Sequence, residues 1–171
     1  MIGWLKKLLG PRLDAHEQRC VDDVREHGCH ILQVFDPEGE EPDFSYSVGF
    51  VDKLGQNDII VFGLKQELMK SMINETYKQC AAGLRLVEGL RIFGLIEDFD
   101  VIARRVTDAL AIEKHFGWAI WYYRHKRMAP LGEVFQLVWP GAQQGLYPWE
   151  SVCDPYVAAV QPPLYQSMTA T

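Results

Sequence analysis

No apolar run in this sequence approaches the roughly 20 residues that a membrane span requires. The longest, Ile59 to Leu64 and Phe116 to Tyr123, are far too short, so stable membrane insertion is not expected. Basic excess is also missing. Seventeen Lys and Arg stand against 23 Asp and Glu, for a net charge of −6 and a pI near 5.3. That balance argues against nucleic acid as a partner, since such binders normally carry a basic surplus. Cysteine is sparse: Cys20, Cys29, Cys80 and Cys153 are widely separated and form no Cys-x-x-Cys pair. Scattered thiols without a framework point to a reducing, cytoplasmic setting.

The usual signatures of chemistry are missing too. Neither a Walker loop nor a dinucleotide fingerprint occurs, so no cofactor is implied. Ser47 has Gly49 after it, but Ser45 and not glycine two places before, so it does not sit in a nucleophile elbow. His27-Gly28-Cys29-His30 is the densest group of ligand-type residues. Zinc needs three or four converging donors and no third can be named, so no metal is assigned.

What is present is enough to build a core. The 171 residues are 48% hydrophobic and 23% charged, a globular composition. A chain of this size buries roughly 70% of its unfolded surface without needing a disulfide or metal. Met1 to Arg12 carries Lys6, Lys7 and Arg12 and reads as a cationic amphipathic segment. Its Trp4, Leu5, Leu8 and Leu9 are expected to dock on the body in preference to an anionic membrane. Residues 13–171 are expected to form a single domain.

Along that domain, Leu13, His16, Cys20, Val21 and Val24 recur at helical spacing, with Pro11 near the start and Gly28 as the stop. Cys29 to Phe35 is apolar on both faces and reads as a central strand. Phe44, Tyr46, Val48 and Phe50 alternate with Ser45, Ser47 and Gly49, giving a strand whose small face could admit a backbone or ligand. Asp52 to Asn57 reads as a turn, and Ile59 to Leu64 as a further inner strand that completes an antiparallel meander. The strongest helical stripe runs from Leu68 through Met69, Met72, Ile73, Thr76, Tyr77 and Cys80 to Leu84. Leu90 to Ile96 and Phe99 to Ala103 read as strands joined at Glu97-Asp98. A helix capped by Thr107 runs to Arg127 with a bend at Gly117, and Val134 to Trp139 is the last strand. Gly145, Pro148, Pro155, Pro162 and Pro163 give an extended tail anchored by Trp149, Tyr156, Leu164 and Tyr165. The mixed order predicts an α+β fold, a mostly antiparallel sheet packed by two or three amphipathic helices.

Two groups of residues are candidates for function. The loop Asp36 to Asp43 holds Asp36, Glu38, Glu40, Glu41 and Asp43 and no base, so it could steer a basic protein partner. Arg124 to Arg127, with Arg104 and Arg105, form a basic counterpart that leaves self-association open. The alternative is an enzyme or ligand pocket floored by Tyr46 and Ser47 and walled by His30, His115, Trp149 and Glu150. A stripe of His115, Trp118, Tyr122 and His125 could line such a pocket, but at helical spacing it more commonly packs in a core.

In order, His27-Gly28-x-His30, Phe44 to Phe50, Ile60 to Leu64, Gln136 to Pro140 and Tyr147 to Glu150 form a set that resembles the bacterial family known as domain of unknown function 4262. The resemblance spans about residues 20 to 165. The chain departs from the family pattern at Cys29, Phe50 and Gly141. Family members are small cytoplasmic proteins, and some occur near toxin systems. The resemblance therefore implies an immunity protein or inhibitor that neutralises a toxin effector, with no reaction assigned.

Overall fold

The computed structural model describes residues 11–167. The expected N-terminal amphipathic segment lies outside them except for Pro11 and Arg12. Among the described residues six helices alternate irregularly with six strands: α1 (Ala15–His27), β1 (His30–Val34), β2 (Phe44–Val48), α2 (Phe50–Leu54), β3 (Ile59–Phe62), α3 (Gln66–Ala81), β4 (Arg91–Ile96), β5 (Phe99–Val106), α4 (Ala109–His115), α5 (Gly117–His125), β6 (Val134–Val138) and α6 (Pro155–Ala159). The strands form one sheet in the order β1-β2-β3-β6-β5-β4. Every neighbouring pair is antiparallel except β3 with β6. The architecture is α+β, and β1 to β3 form the expected meander.

Burial explains the order. All residues of β3 and β6 are buried, as suits central strands covered on both faces. Cys20 and Val24 of α1, together with Phe116, Ala119, Tyr122 and Tyr123, pack on one face against Tyr46, Val48, Ile60, Phe62 and Val138. Met69, Met72, Ile73 and Cys80 of α3 pack on the other face against Ile59, Val61, Ala103, Phe135 and Leu137. The α3 residues are the stripe read from the sequence, and they bury the side of the sheet on which the small residues Ser45 and Ser47 lie.

Several expectations are corrected. β1 is an edge strand and not a central one, because Gln33, Val34 and Phe35 are exposed. The run from Phe44 to Phe50 ends as a strand at Val48, and Phe50 begins the short helix α2 where a turn was expected. α1 starts after Asp14, whose carboxylate accepts from His16 and Glu17 while Glu17 closes a capping box; Pro11 lies ahead of it. Asp108 and not Thr107 caps the next helix, and Phe116 splits the single expected helix into α4 and α5. β5 continues past Ala103 to Val106, which places Arg104 in the sheet. The C-terminal tail is interrupted by α6, capped by Asp154 with Pro155 in its first turn.

The remainder of the tail is tied down by two buried glutamines. Gln136 on β6 accepts from Leu164 N at 2.9 Å and donates to the Pro162 carbonyl at 3.1 Å. Gln161 accepts from Trp139 N at 3.0 Å and donates to the Trp139 carbonyl at 2.9 Å. Residues 160–166 thereby form a strap across the sheet.

Candidate functional site

The six residues proposed for a shared pocket do not converge. His30 Nδ1 lies 2.7 Å from Asp23 on α1. Tyr46 accepts from Trp118 N at 3.1 Å, and burial pushes its phenol up to about 12. His115 Nδ1 meets the Ala111 carbonyl at 2.8 Å, and its ring stands edge-on to Phe44 and Phe62. Glu150 accepts from Tyr147 N at 2.7 Å, closing a tight turn. Sheet order separates them: β1 and β5 lie four strand spacings apart, about 19 Å at 4.8 Å each. His30 lies on β1, whereas the turn that carries Glu150 is tied to β5 by the Tyr147 hydroxyl, so the two sit toward opposite edges of the sheet. The stripe after His115 also packs locally, with His125 stacked on Trp121 at 5.2 Å.

Ser47 belongs to a buried network that the sequence reading missed. Its hydroxyl donates to Asp58 Oδ1 at 2.6 Å and accepts from Ile59 N at 3.0 Å. Asp58 also accepts from Phe50 N at 3.1 Å and from the Tyr123 hydroxyl. Tyr123 in turn accepts from Gly49 N and Val51 N, both at 3.1 Å. Asp58 and Tyr123 together satisfy the orphan amides at the start of α2. Burial outweighs these donors and raises the Asp58 carboxyl from 3.8 to about 6. No histidine takes part in these bonds, so the cluster is a scaffold without the geometry of a nucleophile triad. Burial likewise pushes the Cys20 and Cys29 thiols up to about 12, away from reactivity. Among the described residues no three His, Cys, Asp or Glu side chains cluster to hold a metal.

The principal cleft lies elsewhere, between β4, β5 and the C-terminal strap. Its volume is about 710 Å³, within the range of small-molecule sites. Arg104, only 7% exposed, forms its charged wall. Arg104 Nε donates to Glu88 at 2.7 Å and Nη2 to the Gln166 carbonyl at 3.2 Å. Glu88 also accepts from Arg105 N. The guanidinium sits in a corner made by Trp149 and Tyr165, 4.9 and 4.2 Å from their ring centroids, the two rings standing at 85°. Trp149 stacks on Tyr147 at 5.1 Å, and the Tyr147 hydroxyl donates to the Asp100 carbonyl of β5. Of the six pocket residues expected from the sequence, Trp149 alone lines this cleft. Arg104, read from the sequence as part of a basic counterpart, was the decisive residue missed, because the strand was expected to end at Ala103 and instead runs to Val106.

The family model described as Domain of unknown function (DUF4262) matches residues 23–154. The chain belongs to the DUF4262 family. No curated protein and no solved structure matches it. The DUF4262 match takes in β1 to β6 and the Tyr147-Pro148-Trp149-Glu150 turn, and it ends before the strap that closes the cleft.

In this DUF4262 chain the acidic loop is ordered by one of its own acids. Asp36 accepts backbone N–H bonds from Glu38, Glu40 and Glu41 at 3.0, 2.8 and 2.9 Å, which holds its carboxyl below the usual range. Asp43 accepts from Asp36 N, and Glu41 lies 3.5 Å from Lys114 of α4. Glu38 and Glu40 are exposed and make no ion pair among the described residues. The basic counterpart is smaller than expected, because Arg104 is buried and Arg105 is paired with Glu133 at 3.0 Å. No helix among the described residues is long and apolar enough to cross a membrane.

Proposed function

We propose that the protein is a ligand-binding domain whose site is the cleft beside Arg104. One observation carries this reading: a nearly buried guanidinium, set in an aromatic corner, forms the wall of a ligand-sized cavity. Burying a charge is costly unless it is fully partnered. Arg104 spends Nε and Nη2 on Glu88 and Gln166, and Nη1 takes part in neither bond. Fragment screening by NMR tests the reading, with hits mapped on the indole N–H of Trp149 and the amides of β5. Hits that cluster at these signals support it; hits that ignore them while binding elsewhere overturn it.

A second reading keeps the immunity role, with a basic toxin surface docking at the acidic loop. It is favoured by Phe35, 60% exposed just past edge strand β1 and three residues before Glu38 in the sequence. An exposed aromatic followed by a run of one charge is the composition of a steered docking site. Under this reading, association with the toxin slows when Glu38 and Glu40 are both changed to Gln, and it loses its salt dependence. An unchanged association rate removes the reading.

A further inference from the structure

The cleft's charge points to the kind of ligand it takes. The chain as a whole carries −6, yet of the charged groups lining this cleft, Arg91, Arg104 and Glu88, the one that is buried is the cation Arg104. Glu88 is already engaged by Arg104 Nε and Arg105 N. Arg91 sits at the exposed rim, 3.6 Å from Asp100 and 5.8 Å from the Tyr147 ring centroid. Trp149 and Tyr165, at 85° to each other, lie 4.9 and 4.2 Å from the Arg104 Cζ, and Nε and Nη2 are bonded to Glu88 and Gln166; Nη1 takes part in neither bond, and its N–H groups lie in the guanidinium plane, so a ligand meets it there edge-on. In-plane approach to a guanidinium edge is the geometry of carboxylate and phosphate recognition. The other walls are mostly apolar, formed by Ile102, Pro148, Ala158 and Pro163, with Gln161 and Ser167 as their polar members.

Resting on the ligand-binding reading above, we infer that the cleft takes a small organic anion: an oxyanion placed edge-on to Arg104, carried by a flat apolar body that lies against the proline and isoleucine walls. A free inorganic anion would leave those walls wet, and a neutral or cationic ring would leave the Arg104 edge without an acceptor. A low-dielectric wall around one positive group also strengthens its field inside the cleft relative to open water.

Matched compounds test this on the intact chain. Each set shares one flat body (benzene, indole or naphthalene) and carries a carboxylate, its primary amide or an amine; acetate and inorganic phosphate serve as the bare anions. Binding is followed by calorimetry and by the NMR signals of Arg104 Nε–H and Trp149 Nε1–H. Carboxylates are expected to move both signals and to bind at least tenfold more tightly than their amides, the amines and the bare anions. Arg104→Gln should abolish that preference. Because Arg104 lies in the sheet and its loss could unfold the chain, Arg91→Gln at the exposed rim provides a second variant, expected to weaken the carboxylates several-fold and the amides not at all. Amides or amines that move the cleft signals as tightly as carboxylates overturn the anion inference while leaving the cleft a ligand site. No compound of any charge moving these signals overturns both.

Discussion

Tyr123 on α5 donates its hydroxyl to Asp58 across 65 positions of sequence, while accepting the amides of Gly49 and Val51. One phenol therefore joins the helical layer to the start of α2 and to Asp58, a fully buried carboxyl just ahead of β3. Removing it by Tyr123→Phe leaves two backbone donors and one carboxylate oxygen short of a partner. The expected cost is about 1–3 kcal/mol in urea unfolding, with an unchanged slope. A variant as stable as the parent would show that water replaces the hydroxyl and that the contact is dispensable.

Asp58 gives the chain a signed pH dependence. Its carboxyl is raised from 3.8 to about 6 because burial disfavours the charged form. Between those values the folded chain binds more protons than the unfolded one, so stability falls as pH rises through that window and is level above it. The size is on the order of 2–3 kcal/mol. Asp58→Asn, which cannot ionise, should flatten this part of the stability curve. An equal slope in parent and variant would assign the effect to other groups.

Much of this architecture was legible, and the reasons differ by element. The α3 stripe from Met69 to Cys80 was readable because one face is buried and the other solvated, which writes period 3.6 directly into the sequence. β3 was readable as an unbroken apolar run, and β6 as an apolar run broken only by Gln136. β1 misled because Ile31 and Leu32 resemble central-strand residues, whereas strand order depends on pairings remote in sequence. The Asp58 network was invisible for the same reason: Ser47 on a strand, Asp58 in a loop and Tyr123 on a helix each look ordinary until the fold brings them together. The cleft was half legible. Trp149 stood out as an anchor of the tail and a wall of the expected pocket, but Arg104 gave no sign that it would be buried, since it follows the strand read as ending at Ala103 and charge usually marks a solvated face.

The strap depends on close contact between two backbones. Gly63 has φ +77, and a Cβ there would lie 2.5 Å from the Val160 carbonyl oxygen and 2.9 Å from its side chain. Gly63→Ala should therefore push residues 160–166 off the sheet, breaking the Gln136 and Gln161 bonds and opening the cleft. The expected signs are faster protease cleavage in the tail, a lower Tm and loss of the Arg104 to Gln166 contact. Ala at Gly55, where φ is +61 and no atom lies within 4 Å, carries the conformational strain without the collision and serves as the control. Equal tail protection in the two variants would show that strain alone, and not the approach of Val160, governs the strap.

Asp36 should matter to the acidic loop through shape more than through charge. Its carboxylate gathers the amides of Glu38, Glu40 and Glu41, so Asp36→Ala is expected to speed hydrogen exchange at those three amides several-fold while leaving exchange in β2 and β3 unchanged. The depressed carboxyl sets the sign of the pH effect: the ordering is complete above the ordinary value of 3.8 and disappears as pH falls through the lowered one. Glu38→Gln and Glu40→Gln remove outward charge and none of these bonds, so the same amides should exchange as in the parent. If a basic partner is steered by charge alone, the two glutamine variants slow its association and Asp36→Ala does so only by the loss of one charge. If the loop must also be held in one shape to present Glu38 and Glu40, Asp36→Ala slows association more than either single glutamine variant. The ranking of those three rates therefore separates a diffuse acidic field from a shaped acidic surface.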